Sequence, residues 1–216
     1  NTDNDTYIRM AARNLALAEQ QGLNMMVLCK CCFGALKKAA HLLDNDDELK
    51  DRTNEALAAE GLTYSGKTDI KHFLSVLYHD IGVKTIKEHL DRSYKNLGVA
   101  AHYGCHALRP SDITRFDDPV NPVIFDDLVK ATGAKPVVWP MKLECCGAPL
   151  LGVNDELSVT LTQKKTDDAR ANGGEFLCTA CPYCQMQFDT VQQQKPDDSD
   201  SRKIPSMVYP QLLGLA

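Results

Sequence analysis

Two adjacent cysteines constrain the fold of this chain more than any other feature. Cys145 and Cys146 stand in the segment Glu144-Cys145-Cys146-Gly147-Ala148-Pro149. The side chains of neighbouring residues leave the backbone in different directions, so one apolar pocket rarely accepts both thiols. Gly147 permits a sharp turn or a close approach to a bulky group, and Pro149 stiffens the exit. We interpret this segment as a loop wrapped around a group that binds sulfur.

The other cysteines also occur in motifs that suit ligands. The chain has nine cysteines in 216 residues, an odd number that argues against a complete disulfide framework and favours metal ligands or redox thiols. Cys105 precedes the pair with 39 residues between, and 34 residues separate the pair from the next motif. That motif is a Cys-x-x-Cys pattern at Cys181 and Cys184, with Cys178 as a competing, earlier partner. A strand followed by a helix favours the later register and leaves Cys178 as a buried thiol.

Short apolar strands alternate with helices along the chain. We predict strands at 24–28, 97–103, 135–140 and 175–180, a helix over 69–79, a polar stretch at 192–203 and a last apolar piece at 207–213. This alternation predicts an α/β fold with mostly parallel sheets flanked by helices. Every cysteine loop follows a predicted strand, and ligands gather at the carboxyl ends of such strands.

An internal repeat divides the chain. Two segments match at an offset of 152, as the pairs Gly22/Gly174, Cys29/Cys181, Cys32/Cys184 and Leu36/Phe188. We predict two repeats, residues 1–95 and 96–216. The first contains only its Cys-x-x-Cys motif, with Cys31 as a spare thiol. Because a lone cysteine and a Cys-Cys pair are missing from it, and no initiator Met is present, we expect its front end to be incomplete.

The second repeat contributes five candidate ligands: Cys105, Cys145, Cys146, Cys181 and Cys184. Thiolates select zinc and iron–sulfur clusters. A structural zinc ion takes four ligands, and so does a cubane cluster. Five cysteines therefore favour a larger or unusual cluster, or one cysteine that binds intermittently.

These residues resemble the cysteine-rich CCG domain family, in particular its members of the heterodisulfide reductase B-subunit type. The resemblance rests on Cys105-His106, Cys145-Cys146-Gly147, the motif from Cys181 to Cys184, Cys29–Cys32 and the ending from Tyr209. It covers essentially the whole chain and its motif is highly specific.

The resemblance implies an oxidoreductase subunit that transfers electrons. In the family, two repeats each bind a non-cubane [4Fe–4S] cluster, and a disulfide substrate is reduced to two thiols between them. By the same resemblance the five cysteines of the second repeat hold one cluster, while Cys29 and Cys32 contribute to the other. The implied partners are a ferredoxin-like iron–sulfur subunit and a flavin subunit. Because the first repeat is incomplete, we expect this fragment alone to be inactive.

Other interpretations stay open. The chain is a zinc-binding scaffold subunit if zinc replaces the cluster, or a CCG subunit of a lactate- or glycolate-oxidising complex. Cys181-Pro182-Tyr183-Cys184 also equals a glutaredoxin active-site tetrapeptide, although little chain follows it. His106 is a candidate proton donor, with a structural hydrogen bond as the simpler role. We assign the remaining histidines to surface or core: His41, His72, His79, His89 and His102.

Charge and hydropathy exclude two classes. The net charge is −5 without a basic stretch, which argues against nucleic-acid binding. No apolar run approaches the ~20 residues that span a bilayer, and the N-terminal residues lack the features of a signal peptide. We expect a cytoplasmic protein.

Overall fold

The structure, a computed structural model, describes residues 3–194 and 203–216. Most of the polar stretch predicted at 192–203 lies outside the described residues. The described helices are α1 (Asn4–Gln20), α2 (Lys30–Asp44), α3 (Asp47–Ala58), α4 (Phe73–Ser75), α5 (Val83–Glu88), α6 (Ser111–Thr114), α7 (Ile124–Ala131), α8 (Asp155–Ala171), α9 (Pro182–Gln193) and α10 (Tyr209–Gly214). The strands are β1 (Met25–Val27), β2 (Ile70–His72), β3 (Gly98–His102), β4 (Lys135–Pro136), β5 (Phe176–Thr179) and β6 (Ser206–Val208).

The strands form two sheets in which every pairing is parallel. β1 pairs with β2, and the second sheet has the order β4-β3-β5-β6. All five residues of β3 are buried, as expected for a parallel strand covered on both faces by helices. The predicted fold class, mixed α/β with parallel sheets flanked by helices, is confirmed.

Local sequence explains where the long helices begin. The Asp3 carboxylate accepts hydrogen bonds from the first backbone N–H groups of α1, and the Asn154 side chain accepts one from Leu157 N in α8. These are the N-cap contacts that short polar side chains provide. The helix α9 begins at Pro182, directly after Cys181, where a missing N–H costs nothing.

Three predicted elements differ from the structure. The helix predicted over 69–79 is wrong for residues 70–72, which form β2 because they pair with β1; a π-helical turn, Val76–Gly82, then joins α4 to α5. The strand predicted over 135–140 shortens to β4, since Pro136 has no N–H to donate and Pro140 begins a 3₁₀ turn. The apolar piece at 207–213 divides between β6 and α10.

The core is shared between the two predicted repeats. One cluster of buried apolar side chains runs from Ile8 in α1 to Leu212 in α10. A second, smaller cluster surrounds the cysteine loops and contains Trp139, Cys146 and Phe188. The boundary predicted at residues 95 and 96 is therefore not marked by a gap in the core, and the division into two repeats stays a prediction. No helix in the described part of the chain combines the length and apolarity needed to span a membrane.

The carboxyl ends of β1 and β5 point toward the same region. Lys30 N, at the start of the helix that follows β1, donates a hydrogen bond to Ala180 O, just beyond β5, at 3.3 Å. A ring nitrogen of His72 lies 3.3 Å from the same oxygen. The cysteine loops that follow β1 and β5 consequently meet.

Candidate metal centre

The Cys145-Cys146 loop is held by the polar face of α8. Gly147 has a φ of 90°, a conformation that favours glycine. Ser158 Oγ donates to Gly147 O at 3.0 Å, and Thr162 Oγ1 donates to Cys146 O at 2.7 Å. The carbonyl groups of Cys146 and Gly147 are thereby fixed to α8.

Side chains of α9 link this loop to the Cys181-Cys184 motif. The Gln187 amide donates to Ser158 Oγ at 3.0 Å and to Thr162 Oγ1 at 2.9 Å. Tyr183 OH donates to Ala148 O at 3.1 Å. A buried amide that satisfies two hydroxyl groups is a rigid connection, so the two cysteine motifs keep a defined relative position.

The five cysteines predicted in the second repeat lie together. Cys146 Sγ is 3.3 Å from Cys184 Sγ, and Cys184 and Cys181 are near enough to shift each other's pKa. At the other end, Cys145 is near enough to Cys146 and to Cys105 to shift their pKa values. The result is a continuous chain of neighbouring thiols, the sulfur chain. Cys178 stays apart as a buried thiol of β5, as the sequence predicts.

Cysteines of the first repeat join the same group. Cys29 Sγ lies 3.4 Å from Cys181 Sγ, and Cys31 Sγ lies 3.8 Å from it. Cys32 is exposed and belongs to neither set of potential ligands found among the described residues. The structure thus brings Cys31, assigned as a spare, toward the site and leaves Cys32 outside it. Which of these thiols bind a metal stays a prediction.

His106 lies where the two repeats meet. Its Nδ1 is 3.6 Å from both Cys31 Sγ and Cys105 Sγ, and the side chain is exposed. An imidazole in this position can exchange protons with solvent and with a thiol. These two distances are consistent with the predicted role of His106 as a proton donor, which stays a prediction.

His102, the last residue of β3, lies beside the sulfurs although the sequence did not predict it as a site residue. It is fully buried, and one of its ring nitrogens lies within 4.8 Å of the sulfurs of Cys146 and Cys184. The signal in the sequence was its place at the carboxyl end of a buried strand, three residues before Cys105. Burial, followed by the charges of Lys30 and Lys165, lowers the pKa of His102 well below its ordinary value, so the ring is neutral.

The sulfur contacts divide the thiols into two kinds. Hydrogen bonds from Cys105 and then Cys146 lower the pKa of Cys145. Bonds from Cys184, Cys29 and Cys31 lower the pKa of Cys181, which also caps the N-terminus of α9, where the helix dipole favours a thiolate. The thiols that donate these bonds have raised pKa values, because the bond favours their protonated form. The bond to Cys181 raises the pKa of Cys29 to about 11.

Two buried lysines supply positive charge beside the sulfurs. Lys30 Nζ donates to His102 O at 2.8 Å and to Tyr103 O at 2.6 Å. Lys165 Nζ donates to Met141 O and lies 4.7 Å from the centre of the Trp139 ring. Burial, and then the charge of Lys30, lowers the pKa of Lys165 to about 7. The sequence offered a signal for Lys165, because Ser158, Thr162 and Lys165 form one helical stripe of polar residues.

The donor set suits a soft metal or an iron–sulfur cluster. Cysteine sulfurs predominate, lysines near them can offset negative charge, and an imidazole without a partner among the described residues faces the sulfurs. A cavity of about 10 Å³ lies among the cysteines and has room for roughly one water molecule. The residues therefore fit such a group chemically.

Comparisons with known proteins agree with this chemistry. The model of the CCG cysteine-rich domain family matches residues 99–189. The B subunit of ferredoxin:CoB-CoM heterodisulfide reductase from Methanosarcina mazei is 37% identical over 99% of this chain and 72% of its own length. The B subunit of ferredoxin/F420H2-dependent CoB-CoM heterodisulfide reductase from Methanosarcina acetivorans is 36% identical over the same shares.

A solved structure supports the fold alone. The crystal structure of a hypothetical protein from Helicobacter pylori matches with a TM-score of 0.70 and 18% identity, covering 99% of this chain and 39% of that one. From the sequence relatives, the chain belongs to the heterodisulfide reductase B-subunit family of cysteine-rich domain proteins.

Proposed function

We propose that this member of the heterodisulfide reductase B-subunit family is an iron–sulfur electron-transfer component of an oxidoreductase complex that reduces a disulfide to two thiols. The observation that carries the proposal is the gathering of the thiols, with sulfur contacts between Cys146 and Cys184 and between Cys181 and both Cys29 and Cys31. Core packing alone does not collect thiols at the carboxyl ends of strands and place buried cations beside them.

Cys105, Cys145, Cys146, Cys181 and Cys184 are the proposed ligands. When bound, a [4Fe–4S] cluster of the non-cubane type supplies single electrons and a site for a sulfur atom. Two of these residues, Cys145 and Cys181, already have lowered pKa values, which favours the thiolate form that a metal requires.

The residues around the proposed ligands can stabilise the negative charge that an added electron brings. Burial of Cys146, Cys181 and Cys184 excludes water from the inner sulfurs. Lys30 holds positive charge near them, and Lys165, with a pKa of about 7, adds positive charge when it is protonated; both favour thiolates and an added electron. His106, exposed and close to two thiols, holds the proton that a departing thiolate takes up.

Disulfide reduction has a simple balance. One sulfur–sulfur bond breaks, two electrons enter, and each sulfur atom gains one proton. The electrons come from redox partner subunits, which we propose to be a ferredoxin-like iron–sulfur subunit and a flavin subunit. The two Methanosarcina relatives are named as subunits of heterodisulfide reductases, and that supports both a partner set and a disulfide substrate.

We propose a different pair of ligands from the first repeat than the pair that the resemblance implies. We keep the two-repeat division at residues 95 and 96 as a proposal, because Cys29 and Cys181 both form the N-cap of a helix that follows a strand. Cys29 and Cys31 contact Cys181, whereas Cys32 is exposed. We therefore propose that Cys29 and Cys31 close one side of the centre held by the second repeat.

A zinc centre is the second candidate. The observed sulfur separations of 3.3 to 3.8 Å are close to the roughly 3.8 Å edge of a tetrahedron with 2.3 Å zinc–sulfur bonds. The small cavity also suits a single ion better than a cluster. In that case the chain is a scaffold without redox chemistry.

Anaerobic reconstitution with iron and sulfide separates the two candidates. We expect a coloured protein with bound iron and acid-labile sulfide. Cys146→Ser should lose most of this iron, and Cys178→Ser, which removes a buried thiol outside the sulfur chain, should keep it. A colourless protein that retains about one zinc ion and takes up no iron would refute the iron–sulfur proposal and support the scaffold.

A further inference from the structure

His102 is a buried imidazole without a hydrogen-bond partner in the described part of the chain. Both ring nitrogens lack one there, and the side chain is completely buried. His72 is equally buried on β2, yet its ring nitrogens meet Leu74 N and Ala180 O. The difference matters because buried polar atoms in folded proteins almost always find partners.

The sulfurs are the polar neighbours that can serve His102. Phe188 packs edge-on against the ring at 5.1 Å between centroids. Lys30 is near, but its ammonium donates to two backbone carbonyls and repels a second cation. Cys146 and Cys184 have sulfurs within 4.8 Å of a ring nitrogen. A neutral ring has one N–H to donate, and a thiolate accepts it well.

We propose that the ring N–H of His102 donates a hydrogen bond to the thiolate of Cys146 or Cys184 when these residues hold the metal centre. The inference rests on the function proposed above and extends it, because it gives His102 the role of a positioning residue for two of the ligands.

A donor role fits the geometry better than direct ligation. Cysteines are already more numerous around the centre than a cluster needs. A ligating histidine normally anchors its other N–H on a carboxylate, carbonyl or water, and the described residues give His102 no such anchor. If one ring nitrogen donates its N–H to sulfur, only the other nitrogen, an acceptor, has no partner. Buried acceptors without a partner are more common in folded proteins than buried N–H groups without one.

Three variants test the proposal on the 216-residue chain reconstituted anaerobically with iron and sulfide. His102→Leu removes the donor with little change of volume, and His102→Gln keeps an N–H donor. His72→Leu is the matched control, because it removes an equally buried imidazole that has other partners. We expect His102→Leu to lower the midpoint potential and to lose iron to a chelator about tenfold more readily. His102→Gln should match the wild type in both measurements, and His72→Leu should match it in midpoint potential.

The outcomes separate this inference from the function on which it rests. A wild-type chain that binds no iron overturns both. A wild-type chain that binds iron, with His102→Leu unchanged or His72→Leu changed equally in midpoint potential, overturns the inference alone. Nitrogen hyperfine couplings of the reduced centre, with ¹⁵N-labelled histidine, give an independent check if the leucine variant does not fold. We expect a weak coupling that disappears in His102→Gln; a strong coupling of directly bound nitrogen, or no coupling lost in that variant, contradicts the donor role.

Discussion

Substitution of Gly147 by alanine tests the interpretation of the Cys-Cys-Gly loop most directly. Gly147 has a φ of 90°, and a Cβ atom there overlaps the Ser158 carbonyl oxygen and comes within 3.1 Å of Thr162 Oγ1. Neither neighbour can move freely, because the first is helix backbone and the second donates to Cys146 O. Gly147→Ala therefore moves the loop or α8.

The cost has two separable parts. A left-handed φ costs a residue with a Cβ about 1–2 kcal/mol, and forcing an extra methyl group into a packed site costs about 1–3 kcal/mol. We expect the free energy of unfolding to fall by about 2–5 kcal/mol in total. Gly173 has the same φ of 90° but nothing within 4 Å of its added Cβ. Gly173→Ala should therefore show only the first part.

Urea unfolding of the metal-free variants, followed by circular dichroism, measures this difference. Iron bound after anaerobic reconstitution measures its consequence, since displacement of the loop moves Cys145 and Cys146. We expect Gly147→Ala to lose iron while Gly173→Ala retains it. If the two variants lose equal stability and bind equal iron, close packing of Gly147 on α8 does not position the cysteines.

Three further predictions concern residues around the centre. Cys29→Ser should weaken iron retention about tenfold, as loss of a neighbouring contact does, whereas Cys32→Ser should leave iron content unchanged; equal effects contradict the placement of Cys29 beside Cys181. Lys165→Met should lower the midpoint potential of the reconstituted centre at pH 6, below the Lys165 pKa of about 7, because a positive charge near the sulfurs is then lost; potentiometric titration measures this, and an unchanged potential excludes the effect. Burial lowers the pKa of His72 to about 4, so the unfolded chain binds a proton between about pH 6.5 and 4 that the folded chain does not. The stability that His72 contributes is complete above about pH 6.5 and declines by about 1.4 kcal/mol for each pH unit below it; urea unfolding at pH 7 and 5 should show a smaller loss in His72→Leu than in the wild type.

Charged groups of both signs lie among the cysteines. Thiolates at Cys145 and Cys181 are stabilised by neighbouring thiols that donate to them. Lys30 and Lys165 add two amino groups that the described fold buries completely or nearly so. Burying a lysine is unfavourable unless its ammonium finds partners or opposite charge. Backbone carbonyl groups supply such partners to both lysines, and nearby thiolates add opposite charge.

The sequence by itself determined the local units of this protein. The apolar runs before Cys105 and Cys181 predict strands, the spacing of Cys181 and Cys184 places both at the start of a helix, and Gly147 predicts a turn. These features depend on neighbouring residues, so local backbone preferences are sufficient to establish them. The spacing of the motifs also identified the five cysteines that the fold brings together.

Only the tertiary structure decided which distant residues join them. Cys31 and Cys32 are adjacent in the first turn of α2, about 100° apart around its axis. The position of the start of α2 beside Ala180, just beyond β5, determines that Cys31 faces Cys181 and Cys32 faces solvent. The same docking places the ammonium of Lys30 beside the carbonyl of His102. Contacts across such separations depend on how whole elements pack, and no periodicity within one segment encodes them.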